Sequence, residues 1–142
     1  MKKSISDKFL GLLKDTNEAI YCLNCYRFKD SPVYPDDFTG ERFATGIEAH
    51  KHYAGAVVQM CRDTYGGEML FYGQLTPGLP SLRREGVDFN GYDAIAFMKY
   101  DSAASMLAMA SSADYNSIGV HRSAGVAAQT WSCYSAGPSS MG

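Results

Sequence analysis

The sequence predicts an α+β domain of the ferredoxin-like kind, βαββαβ, with an antiparallel sheet. Three observations lead to this fold class. Strand-like and helix-like apolar patterns alternate along 142 residues, a length that suits one domain. Turn-forming residues separate these segments. The strands are largely apolar on both faces, so the sheet needs a second cover, and the sheet of a second copy would supply it in a dimeric α+β barrel.

The first elements follow a short leading segment. Residues 6–15 carry a capping residue and an apolar stripe, which predict a brief peripheral helix in an N-terminal extension, residues 1–17. Residues 19–28 are rich in aromatic and branched side chains and predict the first strand. Prolines, aspartates and a glycine between Lys29 and Glu41 mark a long loop, and such loops often carry function.

The clearest helix spans residues 42–65, where apolar side chains recur at steps of three, four or seven. Gly66 and Gly67 should end this helix. Residues 68–76 then predict the second strand, which a Pro-Gly pair stops. Residues 92–100 predict the third strand.

The last third of the chain predicts a helix and a strand. Ser102, after Asp101, should cap a helix that is interrupted near Ser111 and Ser112 and then resumes. Residues 128–134 predict the fourth strand. The ferredoxin-like domain is therefore expected over residues 18–136, followed by a flexible tail at residues 137–142.

Composition excludes several functional classes. The net charge of -2 leaves no basic stripe for nucleic acid. No apolar run approaches the roughly 20 residues that span a bilayer, and the leading apolar segment is too short for a secretory signal, so we expect a cytoplasmic protein that binds no membrane. The four cysteines lie in apolar segments, which favours free thiols over a disulfide framework.

Two short motifs suggest redox or metal chemistry and fail a geometric check. Cys22 and Cys25 form a C-x-x-C pattern, but an odd separation on a strand points the side chains to opposite faces. His50 and His52 lie two residues apart on a helix and therefore point about 200° away from each other. We expect His50 to be buried and hydrogen-bonded, with a ligand role as the alternative, and His52 to face solvent. No metal is predicted.

Several segments resemble a known family. Residues 92–102, 113–115 and 121–125, together with residues 24–28 and 65–67, resemble domain-of-unknown-function family 1330 (DUF1330), which belongs to the dimeric α+β barrel superfamily. The resemblance covers most of the chain after its first twenty residues. It implies a homodimer with a cleft between helices and sheet, or inside the barrel, and it implies no particular activity.

Two departures from the family pattern concern the site. Family members typically carry Pro-Ser where this chain has Asp101 and Ser102, a change that keeps the helix cap. The loop before the first main helix is also longer in this chain, which alters the expected mouth of a pocket.

His121 and Arg122 are the candidate catalytic residues. An imidazole titrates near neutral pH, and a neighbouring guanidinium can hold a carboxylate or an enolate. Tyr115 lies seven positions before Arg122, about two helical turns, so the two side chains can share a helix face. The alternative is structural: Arg122 caps a carbonyl or forms an ion pair at the dimer seam, and Tyr115 only packs.

A few polar groups at the ends of side chains on an otherwise apolar sheet predict a pocket for a small molecule. The candidate substrate-binding residues are Asn24, Tyr26, Tyr53, Tyr72, Tyr100 and Tyr115. With ten tyrosines in the chain, several must instead be core or interface residues.

Phosphate-binding glycine loops and a serine nucleophile elbow are absent from the sequence, so no cofactor is expected. Two functions remain open. The chain is either a cofactor-independent enzyme of isomerase, cyclase or monooxygenase type, acting on a small hydrophobic carbonyl or aromatic compound, or a non-catalytic binding or stress-linked module. A haem site at His50 or His121 is the weakest alternative, because neither lies in an attachment motif.

Overall fold

The computed structural model describes residues 18–76 and 91–135, and they form four strands and three α-helices. In chain order the elements are β1 Ile20–Phe28, α1 Gly46–Met60, β2 Gly67–Gln74, β3 Ala94–Tyr100, α2 Ala103–Ala110, α3 Ala113–Gly125 and β4 Val126–Ser135. All strand pairs are antiparallel, and the strand order is β2-β3-β1-β4. The ferredoxin-like α+β fold predicted from the sequence is confirmed.

Local signals set the ends of the first helix. Thr45 caps α1, because its side chain accepts a hydrogen bond from the backbone N–H of Glu48. The helix therefore begins four residues later than the periodicity predicted. It continues beyond Met60 as a π-helical turn, Cys61–Tyr65, and Gly66 ends it with a φ of 76°, a conformation that side chains disfavour.

Serines begin the two later helices. Ser102 caps α2, as predicted, and its hydroxyl accepts from the N–H of Ser105. The predicted interruption is also present, since Ser112 begins α3 by accepting from the N–H of Tyr115. Strand β4 starts at Val126, directly after α3, and so two residues earlier than predicted.

The helices cover one face of the sheet, and the main core lies between them. Its buried members come from α1 and its π-helical turn, from α2 and from the two central strands: Ile20, Cys22, Tyr53, Val57, Cys61, Met98, Tyr100, Ala103, Met106 and Met109. Helices α1 and α3 pack side by side over the sheet, which brings Tyr53 and Tyr115, 62 positions apart, into contact.

Among the described residues, no helix covers the opposite sheet face, where Tyr92 contacts Thr130. By the pairing register its large apolar or aromatic side chains include six, namely Tyr21, Leu23, Phe71, Ile95, Phe97 and Tyr134. Phe71 is 53% exposed and Tyr134 is 52% exposed. The sequence predicted strands that are apolar on both faces. On this face of the sheet, large hydrophobic side chains are therefore exposed to water.

Two predicted segments, the leading helix at residues 6–15 and the tail at residues 137–142, lie outside the described residues, and the proposed domain bounds stay predictions. Among the helices that the structure describes, none combines the length and the apolar character needed to cross a bilayer.

Candidate functional site

The centre of the candidate site is the guanidinium of Arg122, which lies among tyrosines. Its Nη1 atom donates a hydrogen bond of 3.1 Å to the hydroxyl of Tyr115. The same hydroxyl lies 2.8 Å from that of Tyr53. The guanidinium carbon also lies 5.5 Å from the centre of the Tyr53 ring, a cation–π arrangement. Arg122 is thus half-buried in an aromatic setting.

Helix geometry places these groups. Tyr115 and Arg122 share a face of α3 because seven residues are close to two turns, as predicted. Tyr53 faces them from α1, where it belongs to the buried stripe that also contains His50 and Val57. Tyr26 approaches from β1 below, close enough to feel the charge of Arg122. Side chains from α1, α3 and β1 therefore lie around the guanidinium of Arg122.

No carboxylate balances this cation in the part of the chain that the structure describes. The groups acting on Arg122 are the tyrosines Tyr26, Tyr53 and Tyr115. A half-buried guanidinium without a counterion retains a large part of its desolvation cost. An anion or a polarised carbonyl oxygen at this place would therefore be favoured.

His50 lies next to this group and is almost completely buried, with 1% of its surface exposed. Its ring centre is 4.1 Å from that of Tyr26, 5.0 Å from that of Phe28 and 6.2 Å from that of Tyr72. Neither ring nitrogen has a hydrogen-bond partner among the described residues, and the buried hydroxyl of Tyr72 has none either. Burial was predicted correctly, whereas the predicted hydrogen bond of His50 is absent.

Burial dominates the acid–base properties of these groups. It lowers the pKa of His50 to about 4, and the charge of Arg122 acts in the same direction. His50 is therefore a neutral imidazole near pH 7. Burial also raises the pKa values of Tyr26, Tyr53 and Tyr72, so these phenols stay protonated and can donate hydrogen bonds.

The remaining predicted binding residues lie on the same side of the sheet in two different settings. Asn24 is buried on β1, and its side-chain oxygen accepts a hydrogen bond of 3.1 Å from Gln129 on β4. Tyr100 is 7% exposed within the hydrophobic core, beside Cys22 and Cys61. Asn24 thus lies two residues before Tyr26 on the same face of β1, while Tyr100 packs in the core.

His121 occupies a separate cluster, which we call the loop cluster: Tyr34, Phe38, Phe43, His52 and His121. The Nδ1 atom of His121 lies 2.9 Å from the hydroxyl of Tyr34. The rings of Phe38, Phe43 and His52 meet the His121 ring edge-on, at 5.6, 5.3 and 4.7 Å between centres. Adjacent residues on a helix point about 100° apart, so His121 and Arg122 face different surroundings.

The loop cluster explains how the long loop is held. Backbone N–H groups of Lys29 and Val33 donate to the carbonyls of Gly125 and Ala124 at the end of α3. The aromatic rings then cover His121 from outside. The loop therefore packs against α1 and α3, and we assign it no part in contacting Arg122.

Two open clefts of the described residues lie elsewhere. One, of about 370 Å³, is lined by the end of the π-helical turn and the start of β2. The other, of about 350 Å³, lies between the end of β1 and the start of α1. Neither cleft is lined by Arg122 or His50.

His50 was not among the candidate catalytic residues predicted from the sequence. Its place on the apolar stripe of α1 was recognised, but burial without a partner depends on which groups of β1 and β2 lie opposite. A histidine on an otherwise apolar helix face was the available signal.

Comparison with known proteins supports the fold. No family model and no curated protein matches the chain, so membership of family 1330 stays a prediction. A protein of unknown function from Rhodopseudomonas palustris has a similar structure, with a TM-score of 0.75, 21% identity and coverage of 97% of this chain and 95% of that one. At this identity the likeness concerns the fold alone.

Two more distant structures share the architecture. A dimeric protein of unknown function with a ferredoxin-like fold, from Bacteroides fragilis, matches with a TM-score of 0.51 and 9% identity over 82% of this chain and 95% of that one. The hydroxynitrile lyase of Passiflora edulis matches with a TM-score of 0.52 and 12% identity over 86% and 96%. The fold therefore occurs both in proteins of unknown function and in an enzyme.

Proposed function

We propose that the chain is a cofactor-independent enzyme that acts on a small hydrophobic carbonyl or aromatic compound bound between its helices and its sheet. One observation carries the proposal. The imidazole of His50 is buried without a hydrogen-bond partner among the described residues, and the half-buried guanidinium of Arg122, whose charge acts on it, has a tyrosine hydroxyl but no carboxylate as its partner there. Unpaired buried polar groups cost stability and persist at functional sites.

The chemistry of the neighbours suits an enolisable carbonyl compound. Arg122 and the hydroxyl of Tyr115 would donate hydrogen bonds to the substrate oxygen, where negative charge develops. His50, neutral near pH 7, would accept the proton from the adjacent carbon, so that the C–H electron pair moves into the enolate. Delivery of the proton to the enolate oxygen completes a keto–enol isomerisation with no net loss of atoms or electrons, and its return to the same carbon gives exchange with solvent.

The low pKa of His50 fits this proposal when the bound ligand is considered. Part of the shift comes from the charge of Arg122. A developing enolate between the two groups would offset that charge and raise the pKa of His50 toward the operating pH, where a general base is most effective. The site would thus gain basicity as the reaction proceeds.

The predicted role of His121 as the acid or base is the competing assignment within the same function. Its contacts with the loop cluster favour a structural role, because the ring is enclosed by Tyr34, Phe38 and Phe43. We therefore assign proton transfer to His50 and anion binding to Arg122, and both histidines enter the test.

We further propose that the working unit is a homodimer through the open sheet face. The six apolar and aromatic groups on that face need a cover, and a second copy offers a matching surface. A structural neighbour of this fold is dimeric. The cytoplasmic location predicted from the sequence stays part of this proposal.

The test uses phenylpyruvate, a 2-oxo acid with an aromatic ring, together with mass spectrometry of compounds that copurify with the native protein. Binding is measured by calorimetry, and deuterium exchange at the carbon next to the carbonyl is followed by NMR in heavy water. We expect Arg122→Met to weaken binding at least tenfold. His50→Gln should bind with little change and lose the exchange.

His121→Gln is the matched control, because it removes an imidazole from the neighbouring cluster. Exchange that depends on His121 and not on His50 would overturn the assignment of the base. Binding without exchange by the unmodified protein would overturn the enzyme and favour the binding module. Absence of both binding and any copurified compound would overturn the proposed site.

A further inference from the structure

Cys22 on β1 and Cys133 on β4 lie directly opposite each other in the antiparallel pair. Both side chains point to the helix-covered face, and their Sγ atoms are 2.6 Å apart. Opposed residues of an antiparallel pair hold their Cβ atoms about 4.5–5.5 Å apart, close to the roughly 3.5–4.5 Å that a disulfide requires. A covalent link between the two sulfur atoms therefore needs only a small movement of the backbone.

The other two cysteines differ in this respect. Cys25 lies on the opposite face of β1, as the odd spacing from Cys22 predicted. Cys61 lies in the core, where its thiol contacts the sulfur of Met109 at 3.3 Å. Among the described residues, the contact between Cys22 and Cys133 is thus the cysteine pair with the geometry for a bond.

We propose that Cys22 and Cys133 form a thiol-oxidation site, which closes into a disulfide between β1 and β4 on reaction with a small-molecule disulfide such as oxidised glutathione. The proposal concerns a modification of the chain and is independent of the function proposed above. The free thiols predicted from the sequence are the reduced form of this pair.

Exposure decides which cysteine reacts first. Cys22 is completely buried, whereas Cys133 is partly exposed on the edge strand β4. The hydrogen bond from Cys22 also lowers the pKa of Cys133, which favours its thiolate. Cys133 is therefore the thiol that meets the oxidant.

The reaction balances as two thiol–disulfide exchanges. The thiolate of Cys133 attacks one sulfur of oxidised glutathione, forms a mixed disulfide and releases one glutathione thiolate. The thiol of Cys22 then attacks the sulfur of Cys133, and its proton passes to the second glutathione thiolate as that leaves. The protein loses two electrons and two protons, and one oxidised glutathione becomes two reduced molecules.

The bond would join a central strand to an edge strand beside the candidate site. Trp131 and Gln129 precede Cys133 on the same face of β4 and lie opposite Asn24 and Tyr26, respectively. The disulfide would therefore hold this part of β4 against β1. Trp131, the one tryptophan of the chain, lies close enough to Cys22 to affect its pKa and so reports on the pair by its fluorescence.

The experiment treats the purified, reduced protein with oxidised glutathione and counts free thiols after denaturation. Peptide mass spectrometry then identifies the partners. We expect the loss of two of the four thiols, a peptide pair that joins Cys22 to Cys133, and a mass lower by two hydrogen atoms. Trp131 fluorescence should fall on oxidation and recover with a reducing thiol.

Cys133→Ser should keep its remaining three thiols after the same treatment, whereas Cys22→Ser should hold a glutathione adduct at Cys133, because no second thiol releases it. Cys25→Ser is the matched control and should still lose two thiols. If either site variant does not fold, the peptide map of the unmodified protein carries the test. Three results with the unmodified protein would each overturn the proposal: four persistent thiols, a stable glutathione adduct at Cys133, or a disulfide bond between two chains.

Discussion

The hydroxyl of Tyr53 on α1 lies 2.8 Å from the hydroxyl of Tyr115 on α3, and Arg122 donates to the latter across 3.1 Å. This contact joins α1 and α3, two of the helices that cover the sheet. The contact stabilises the packing of the two helices and also forms part of the proposed site. Its removal therefore tests the contribution of this contact to the stability of the domain.

Tyr115→Phe should lower the free energy of unfolding by about 1–2 kcal/mol, because one hydroxyl loses two hydrogen-bond partners while the ring stays. Urea denaturation measures the change. Tyr65→Phe is the control, because Tyr65 packs against the core and the structure gives its hydroxyl no hydrogen bond. An equal loss in both variants would contradict the importance of the contact between the helices.

His50→Leu should leave the free energy of unfolding unchanged or raise it by about 1–2 kcal/mol, because an apolar group replaces a buried ring without partners. His121→Leu should lower it by about 1 kcal/mol, because the contact with Tyr34 is lost. The same substitution thus has opposite effects at two buried histidines. Denaturation of both variants without ligand tests this, and a clear loss of stability in His50→Leu would contradict it.

The stability of the protein should depend on pH through His50. The pKa of His50 is about 6.5 in the unfolded chain and about 4 in the folded protein, where Tyr26, Tyr53 and Tyr72 surround it and Arg122 repels its protonated form. Between these values the unfolded chain binds more protons, so the free energy of unfolding falls as the pH falls.

The His50 contribution is fully present above pH 6.5 and is lost progressively toward pH 4. The size of the shift corresponds to roughly 3 kcal/mol. Denaturation across this range should show a steeper decline in the unmodified protein than in His50→Leu. His121, whose pKa is also lowered by burial, contributes in the same direction and remains in both proteins. Equal slopes would contradict the prediction.

Phe97→Asp should convert the proposed dimer to a monomer. Phe97 lies at the centre of the open sheet face, where its ring stacks on that of Tyr21 at 6.1 Å. A carboxylate there would have to be buried without a partner on association. Light scattering measures the mass. Val33→Asp is the control, because Val33 is 67% exposed in the loop, away from this face. A monomeric unmodified protein would contradict the sheet-face dimer.

Gly66→Ala should destabilise the fold by at least about 1 kcal/mol. Gly66 has a positive φ of 76°, and an added Cβ would lie 2.2 Å from a carboxylate oxygen of Asp101. Gly55→Ala in α1 is the control, since its Cβ would meet no atom within 4 Å. That variant should be more stable by about 0.5–1 kcal/mol, because alanine favours the helix. The thermal midpoints of both variants test the contrast, and a shift of the same sign would contradict it.

The sequence by itself determined the order of the elements and several of their ends. Periodicity, Ser102 and Gly66 are local signals, and each acts within one turn of the chain. The shared face of Tyr115 and Arg122 was also predictable, because it depends on one helix. The opposite faces of Cys22 and Cys25 follow in the same way from one strand.

Only the tertiary structure decided which groups meet across elements. Cys22 and Cys133 lie 111 residues apart in the sequence, and their contact depends on the register between β1 and β4. The unpartnered ring of His50 depends on which side chains β1 and β2 place beneath α1, and the separation of His121 from Arg122 depends on where the long loop packs. Local patterns carry no information about these contacts, because the packing of distant segments sets them.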